Sequence, residues 1–328
     1  MKFQRRLLLS LISLAGFAVN FSSYAVAAPK SATTSATTID ERAKDVVLRF
    51  PANLSCGRVF KIVRKGNELS DFDKTSAMDA KGDIQLPAGT QVRLKLSYAA
   101  VEQPNALFNI APEYVDSMDC RSLDNLTDET LKYLAHFSSL RVLTLDETDV
   151  TTKGLQYLVT MKDLEELSLS RTLVDEKSLS VISSFTKLRS LRLANNKLQH
   201  ASLSKLSSLK NLGDFDIQSA GLTDLSLRGL AGFENLRKIN LCHNLNLTDE
   251  CLLDLRKLPK LKRLEIADTK ITATGLLQLK GTQIEHIMLD IHHQSPQAMI
   301  KLRDAMPKCK FTGEPKSKTP MEIFEPLK

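Results

Sequence analysis

The apolar pattern of this chain requires an α/β solenoid. Short parallel strands should stack into an inner, concave sheet, with helices on the convex side and a small β-rich cap ahead of them. Three observations carry this. Two phrases, "NLTDETLKYL" from Asn125 and "NLTDECLLDL" from Asn246, echo each other 121 residues apart. An apolar set recurs every 24 or 25 residues between them. Within each unit the apolar spacing changes from two to three or four, which is a strand followed by a helical turn.

The elements follow in chain order. Lys2, Arg5 and Arg6 precede an apolar run from Leu7 to Ala18, and Ala25-Val26-Ala27 is a small-x-small site. This reads as a signal peptide over residues 1–27, since the run is too short for the roughly 20 apolar residues that span a bilayer. Residues 28–38, "APKSATTSATT", are small and polar and form a flexible spacer. Residues 39–114 form the cap: "DVVLRF", "GRVFKIVRK", "GDIQLPAG" and "TQVRLKLS" alternate, with turns at Asn53, Gly66 and Pro87-Ala88-Gly89.

The repeats and their own cap occupy 115–311. With Leu140 as position 0, the apolar set is Leu143, Leu145, Val150, Leu155, Leu158 and Met161. The same set returns from Leu164, Leu188, Leu212, Leu236 and Leu261, and an earlier unit starts at Val115. A single unit has one face to bury and nothing of its own to bury it against, so the units must stack. Thr151, Asp175 and Thr248 stand where a side-chain oxygen caps a helix start. The last unit opens at Ile284 and passes through "SPQAMIKLRDAMPKCKF", a helix and a closing strand "KCKF" that cover the final core face. Residues 312–328 read as a disordered tail with a docking segment "MEIFEPL".

The stretch LxxLxLxxTxVTxxGLxxLxxM at 140–161 resembles the leucine-rich repeat family in its bacterial 24-residue class. The resemblance implies a horseshoe-shaped solenoid. The Asn usual at position 8 is Asn196 and Asn244, with Thr148, Thr172, Thr269 and Ala220 in its place elsewhere. Such side chains are expected to face inward and bond the turn backbone, and Ala220 to leave one such bond unmade. "FPANLSCGRVFKI" and "DAKGDIQLPAGTQVRLKLS" resemble the β cap that precedes such repeats in some exported or cell-envelope bacterial proteins, though those relatives often carry Trp near Phe72. That implies a cap and no activity.

Signals for chemistry are weak. Cys120, Cys251 and Cys309 fall in core columns and read as small buried fillers. Cys242 should point out of the concave sheet, and a disulfide, if one forms, best joins Cys56 to Cys120. Asp290, His292 and His293 have ligand chemistry, but adjacent residues rarely converge on one ion, so no metal or other cofactor is expected. GxSxG, HExxH and glycine-rich phosphate loops do not occur in the sequence. The expectation is a non-enzymatic chain. Its charge of +7, or +4 once Lys2, Arg5 and Arg6 are removed, is scattered, which argues against nucleic acid. After signal removal nothing in the sequence calls for membrane insertion.

The concave face remains. Positions 2, 4, 6 and 7 should point outward from the strands, and Asp146, Glu147, Arg171, Arg192, Asp216, His243 and Asp268 are the candidate partner-binding residues. A mixed-charge face of this kind either binds a partner or only keeps the solenoid soluble. The reading is an exported module, periplasmic or extracellular, that binds a protein through this face. The alternatives are an effector or adhesin acting on a host cell and a cell-envelope structural protein. Mass spectrometry of the exported protein is expected to find its N-terminus at Ala28; an intact Met1 would refute the cleavage.

Overall fold

The computed structural model describes residues 45–62 and 72–313. The signal peptide, the spacer and the end of the tail lie outside them. The chain is an α/β leucine-rich repeat solenoid. The cap contributes β1 (Val46–Arg49), β2 (Gly57–Lys61), β3 (Met78–Asp79), β4 (Asp83–Leu86) and β5 (Val92–Leu96), then a helix α1 (Tyr98–Glu102). The repeats follow as β6 (Val115–Asp119), α2 (Asp128–Leu134), β7 (Val142–Thr144), α3 (Thr152–Leu155), β8 (Glu166–Ser168) and α4 (Ser178–Ile182). Then come β9 (Ser190–Arg192), β10 (Asp214–Asp216), β11 (Lys238–Asn240), α5 (Leu252–Leu255), β12 (Arg263–Glu265), β13 (His286–Met288), α6 (Pro296–Ala305) and β14 (Lys310–Thr312). The closing strand lies two residues later in its start than "KCKF" suggested.

One sheet runs β14-β13-β12-β11-β10-β9-β8-β7-β6-β5-β2-β3, parallel from β14 to β5 and antiparallel beyond. The cap is therefore continuous with the repeat sheet: Lys95 pairs with Asp119, and a register shift at Val92/Arg93 joins the two. Only β1 and β4 stand apart, as an antiparallel pair. Arg93 seals the junction. It is buried, lies 4.3 Å over the Phe72 ring, and donates to Asp119 Oδ2 at 2.7 Å.

The periodic leucines form the core. Leu140, Leu143, Leu145, Val150, Leu155, Leu158 and Met161 are fully buried, and so are their counterparts in the next units. Strands need about 4.8 Å each and packed helices about 8–10 Å, so the sheet takes the inner arc. The outer segments are short: α3 has four residues, and Leu203–Leu206, Asp224–Leu227 and Gly275–Leu279 are 3-10 turns. Of the expected caps, Thr151 accepts from Lys153 N–H and Thr248 from Glu250 N–H. Asp175 accepts from Lys177 N–H ahead of α4.

Buried backbone groups at the turns are satisfied by the position-8 side chains. Asn196 Nδ2 donates to Leu169 O and Leu193 O, and its Oδ1 accepts from Thr172 N–H. Asn244 Nδ2 donates to Ile217 O and Leu241 O, while its Oδ1 accepts from Ala220 and Leu222 N–H at 3.1 and 3.0 Å. The Ala220 side chain makes no bond of this kind, while its own N–H is taken by Asn244 of the next unit. Thr148, Thr172 and Thr269 each donate to the carbonyl three residues back.

The echoed phrase has a second role. Its Asp128 accepts from Thr151 N–H and Oγ1, and its Asp249 accepts likewise from Thr272, at 2.6–2.8 Å. Asp224 repeats the arrangement with Thr248. A Cβ at Gly154 would lie 2.2 Å from Asp128 Oδ1, and one at Gly275 2.1 Å from Asp249 Oδ1. At these two sites the carboxylate occupies the space a side chain would enter, whereas Cys251 fills the matching position after Asp224.

Two cysteine expectations are corrected. Cys56 and Cys120 are both buried free thiols. β5 lies between β2 and β6, so the two flanking strands are about 9.6 Å apart, beyond the roughly 6.8 Å that a disulfide bridges between Cα atoms. Cys242 is 1% exposed, so its outward position does not bring the thiol to the surface. Cys251 is fully buried and Cys309 partly so. Asn244→Ala is expected to lower unfolding free energy by about 3 kcal/mol or more, since it strands several buried backbone groups at roughly 1–3 kcal/mol each. Chemical denaturation checks this.

Candidate functional site

The concave surface is built by register. Ser117, Val142, Glu166, Ser190, Asp214, Lys238, Arg263, His286 and Lys310 lie side by side across nine strands at position 2. Two residues on, Asp119, Thr144, Ser168, Arg192, Asp216, Asn240, Glu265, Met288 and Thr312 form the position-4 row. The residues between them, from Met118 on β6 to Ile287 on β13, are buried apolar side chains that anchor these strands beneath the outward ones.

The seven candidates divide between this floor and its rim. Arg192 and Asp216 pair in register on β9 and β10 and belong to the floor. Asp146 sits at position 6, where its Oδ1 accepts from Ser168 Oγ at 2.5 Å and from Ser170 N–H at 2.8 Å. It braces the end of the neighbouring strand. Glu147, Arg171, His243 and Asp268 lie past their strands, which corrects their expected place on the sheet. Each is a left-handed turn residue, with φ of 59°, 56°, 58° and 57°. Ser122, Asn195 and Ser219 share that conformation, so every repeat places a non-glycine residue there.

The turn has a local cause. Position 5 is a buried apolar residue and position 8 faces inward as Leu, Thr, Asn or Ala, so the chain must reverse toward the core over two residues. The backbone ladder continues through it: Arg171 N–H donates to Ala194 O and His243 N–H to Ala267 O. The turn lifts position 7 to the rim, where side chains meet in pairs. Arg171 Nη1 donates to Glu147 Oε1 at 2.9 Å, and Ser122 Oγ to Glu147 Oε2 at 2.8 Å. These bonds hold the Glu147 carboxyl below its ordinary pKa. His243 Nδ1 lies 3.0 Å from Asp268 Oδ2, and Asp268 N–H donates to Asp290 Oδ2.

Sequence reasoning missed the polar groups sunk into the floor. Ser117, Asp119, Ser168, Asn240 and Glu265 are all under a tenth exposed. Burial raises the Asp119 pKa, but bonds from Arg121 and Arg93 outweigh it and bring the carboxyl down to about 2. Asp216 goes the other way. Burial raises it, and the Gln218 N–H bond and the charges of Lys238 and Arg192 only partly offset that. Alternation gave the direction of these side chains but not their depth, since Arg192 at the same position is exposed. Among the described residues, no group of three or more His, Cys, Asp or Glu is placed to hold a metal, and no helix is long and apolar enough to cross a membrane.

No known family profile matches this sequence, and no curated protein does. Solved structures resemble it at the level of fold. A leucine-rich repeat protein of Leptospira interrogans is 22% identical with a TM-score of 0.46, over 61% of this chain and 55% of that one. An internalin (inlF) of Listeria monocytogenes is 21% identical with a TM-score of 0.48, over 65% of this chain and 64% of that one. Internalin C2 of the same species is 24% identical at 0.42, over 58% and 78%. The chain thus spans about half the length of the Leptospira protein and somewhat under two thirds of inlF.

Asp216 yields a signed expectation. Its folded pKa lies above the unfolded one. Below the unfolded pKa both states are neutral there and no destabilisation arises; as pH rises through the folded pKa, the burden of a buried charge becomes fully present. Asp216→Asn keeps an acceptor for Gln218 N–H. It should therefore melt higher than the parent at pH 7, with the difference shrinking on acidification through the carboxylate range. Melting curves across pH check this.

Proposed function

We propose that this chain is an exported, non-enzymatic module that binds another protein through its concave sheet and the rim beside it. The observation that supports it most is the in-register floor, whose rows of polar and charged side chains are held by buried apolar residues. A partner meeting such a surface loses little to ordering of the receptor side. Export rests on the basic start, the apolar run and Ala25-Val26-Ala27. The domain plan, a β cap from 39, repeats to 311 and a tail, is part of the same reading, as is a periplasmic or extracellular location.

Each candidate then has a role. Arg192 and Asp216 offer opposite charges on adjacent strands. Glu147 with Arg171, and His243 with Asp268, offer pre-oriented polar pairs on the rim. Asp146 fixes the geometry of the surface rather than reaching far from it. Arginine in particular is common among the residues that dominate protein interfaces.

The test compares two kinds of variant against a partner captured on the immobilised protein. Arg171→Ala with Arg192→Ala removes no core contact. It breaks one exposed ion pair, a loss of about 0–1 kcal/mol. The melting curve should barely move, while calorimetry should show at least tenfold weaker binding. Leu167→Ala and Leu191→Ala should each lose about 2–5 kcal/mol of stability first, since both leucines are buried. Unchanged affinity in the double arginine variant would move the site off the concave face.

A further inference from the structure

The C-terminal third of the concave floor carries a row of cationic and imidazole side chains that the seven candidates do not include. Lys238, Arg263, His286 and Lys310 occupy the same position on β11, β12, β13 and β14 and are paired strand to strand. With strands about 4.8 Å apart, three steps carry the row across roughly 14 Å. An extended peptide repeats a side chain on one face about every 6.7 Å, so three alternate residues span roughly 13 Å. We propose that this row is an anion subsite that receives an acidic segment of a protein partner, laid across the strands with carboxylates at every second residue. This rests on the concave sheet being a partner-binding surface and names the chemistry that part of it accepts.

The row is pre-arranged from below. Glu265, 6% exposed, accepts from Arg263 Nε at 2.6 Å and lies 3.7 Å from Lys238 Nζ. One buried carboxylate thus holds two cations apart and upright without neutralising both. His286 Nε2 lies 2.9 Å from Thr312 Oγ1, and its Nδ1 is buried with no hydrogen-bond partner among the described residues. Burial first, then the charges of Arg263 and Lys310, hold the His286 pKa below its ordinary value, with Glu265 opposing. The imidazole is therefore a proton acceptor in a positive field, and an anion seated over it would favour its protonation.

The surroundings favour a short peptide over a nucleic acid. Asp214 and Asp216 close one end of the row on β10, and Asp268 and Asp290 line the rim beside it. A long polyanion would run into these carboxylates, whereas a segment of about three carboxylates fits between them. A partner with basic residues flanking its acidic stretch would engage both signs.

The test uses a fluorescein-labelled octapeptide with glutamate at every second position, its glutamine counterpart, and a single-stranded oligonucleotide of similar length. The full chain should bind the glutamate peptide at least tenfold more tightly than the glutamine peptide, and added salt should weaken that binding. Lys238→Gln with Lys310→Gln should reduce affinity at least tenfold. Lys310→Gln alone, at an exposed site on the sheet edge, should reduce it about threefold by the loss of one charge. By NMR, the His286 ring resonances should shift on titration with the peptide, and the imidazole pKa should rise. Equal binding of both peptides, an unchanged Kd in the lysine variants, or tighter oligonucleotide binding lost in the same variants would each overturn the proposal. Failure here leaves the partner assay with the arginine variants intact, so the two readings fail separately.

Discussion

Seven consecutive parallel pairings, from β6–β7 to β12–β13, set residues 23 to 25 apart side by side. Everything else in the repeats depends on that register. A shift of one residue in any strand would turn its leucines toward water and its charges into the core. The penalty is high because the leucines at positions 0, 3 and 5 are fully buried in nearly every unit. Register is also enforced from outside the sheet. The carboxylates of Asp128, Asp224 and Asp249 grip Thr151, Thr248 and Thr272 of the next unit through both N–H and hydroxyl.

Polar satisfaction then fixes the turns. A strand of three residues followed at once by a reversal leaves backbone groups facing the core, and each must find a partner. Asn196 and Asn244 serve their own unit and the preceding one together, so the unit boundary is a hydrogen-bonded joint as well as an apolar contact. The same reversal accounts for the left-handed residue in every repeat. A non-glycine residue there is strained by about 1–2 kcal/mol. The strain persists because the flanking residues on both sides turn inward and leave no alternative path.

Much of this was legible in the sequence, for an identifiable reason. Leucine spacing reports directly on burial, and burial dominates the fold; Leu140 to Met161 predicted the core without error. Relations across strands were harder to read. Cys56 and Cys120 looked like partners in sequence, but β5 runs between their strands. Cys242 occupied an outward position by alternation yet is buried by its neighbours, because alternation gives direction and not depth. Ala220 makes no side-chain bond, as expected, but that Asn244 would take the Ala220 N–H could not be read from one unit alone. The left-handed turns were invisible because no glycine marks them. Of the candidate site, the row order was predictable from the period, while the ion pairs and the sunken carboxylates depend on side-chain reach.

The depth of a floor side chain decides what it can do. Asp119 is sunk beside two arginines and is held charged, so it serves the joint between cap and repeats. Asp216, at the same position four strands on, has its charge disfavoured by burial and accepts a bond from Gln218 N–H. Glu265, on the third strand from the sheet edge, supports two cations whose side chains remain partly exposed. One repeated position thus supplies a structural lock, a destabilised acid and a pedestal for a cationic row. Stacking fixes the scaffold once, and the identity of its neighbours on adjacent strands gives each floor residue its chemistry.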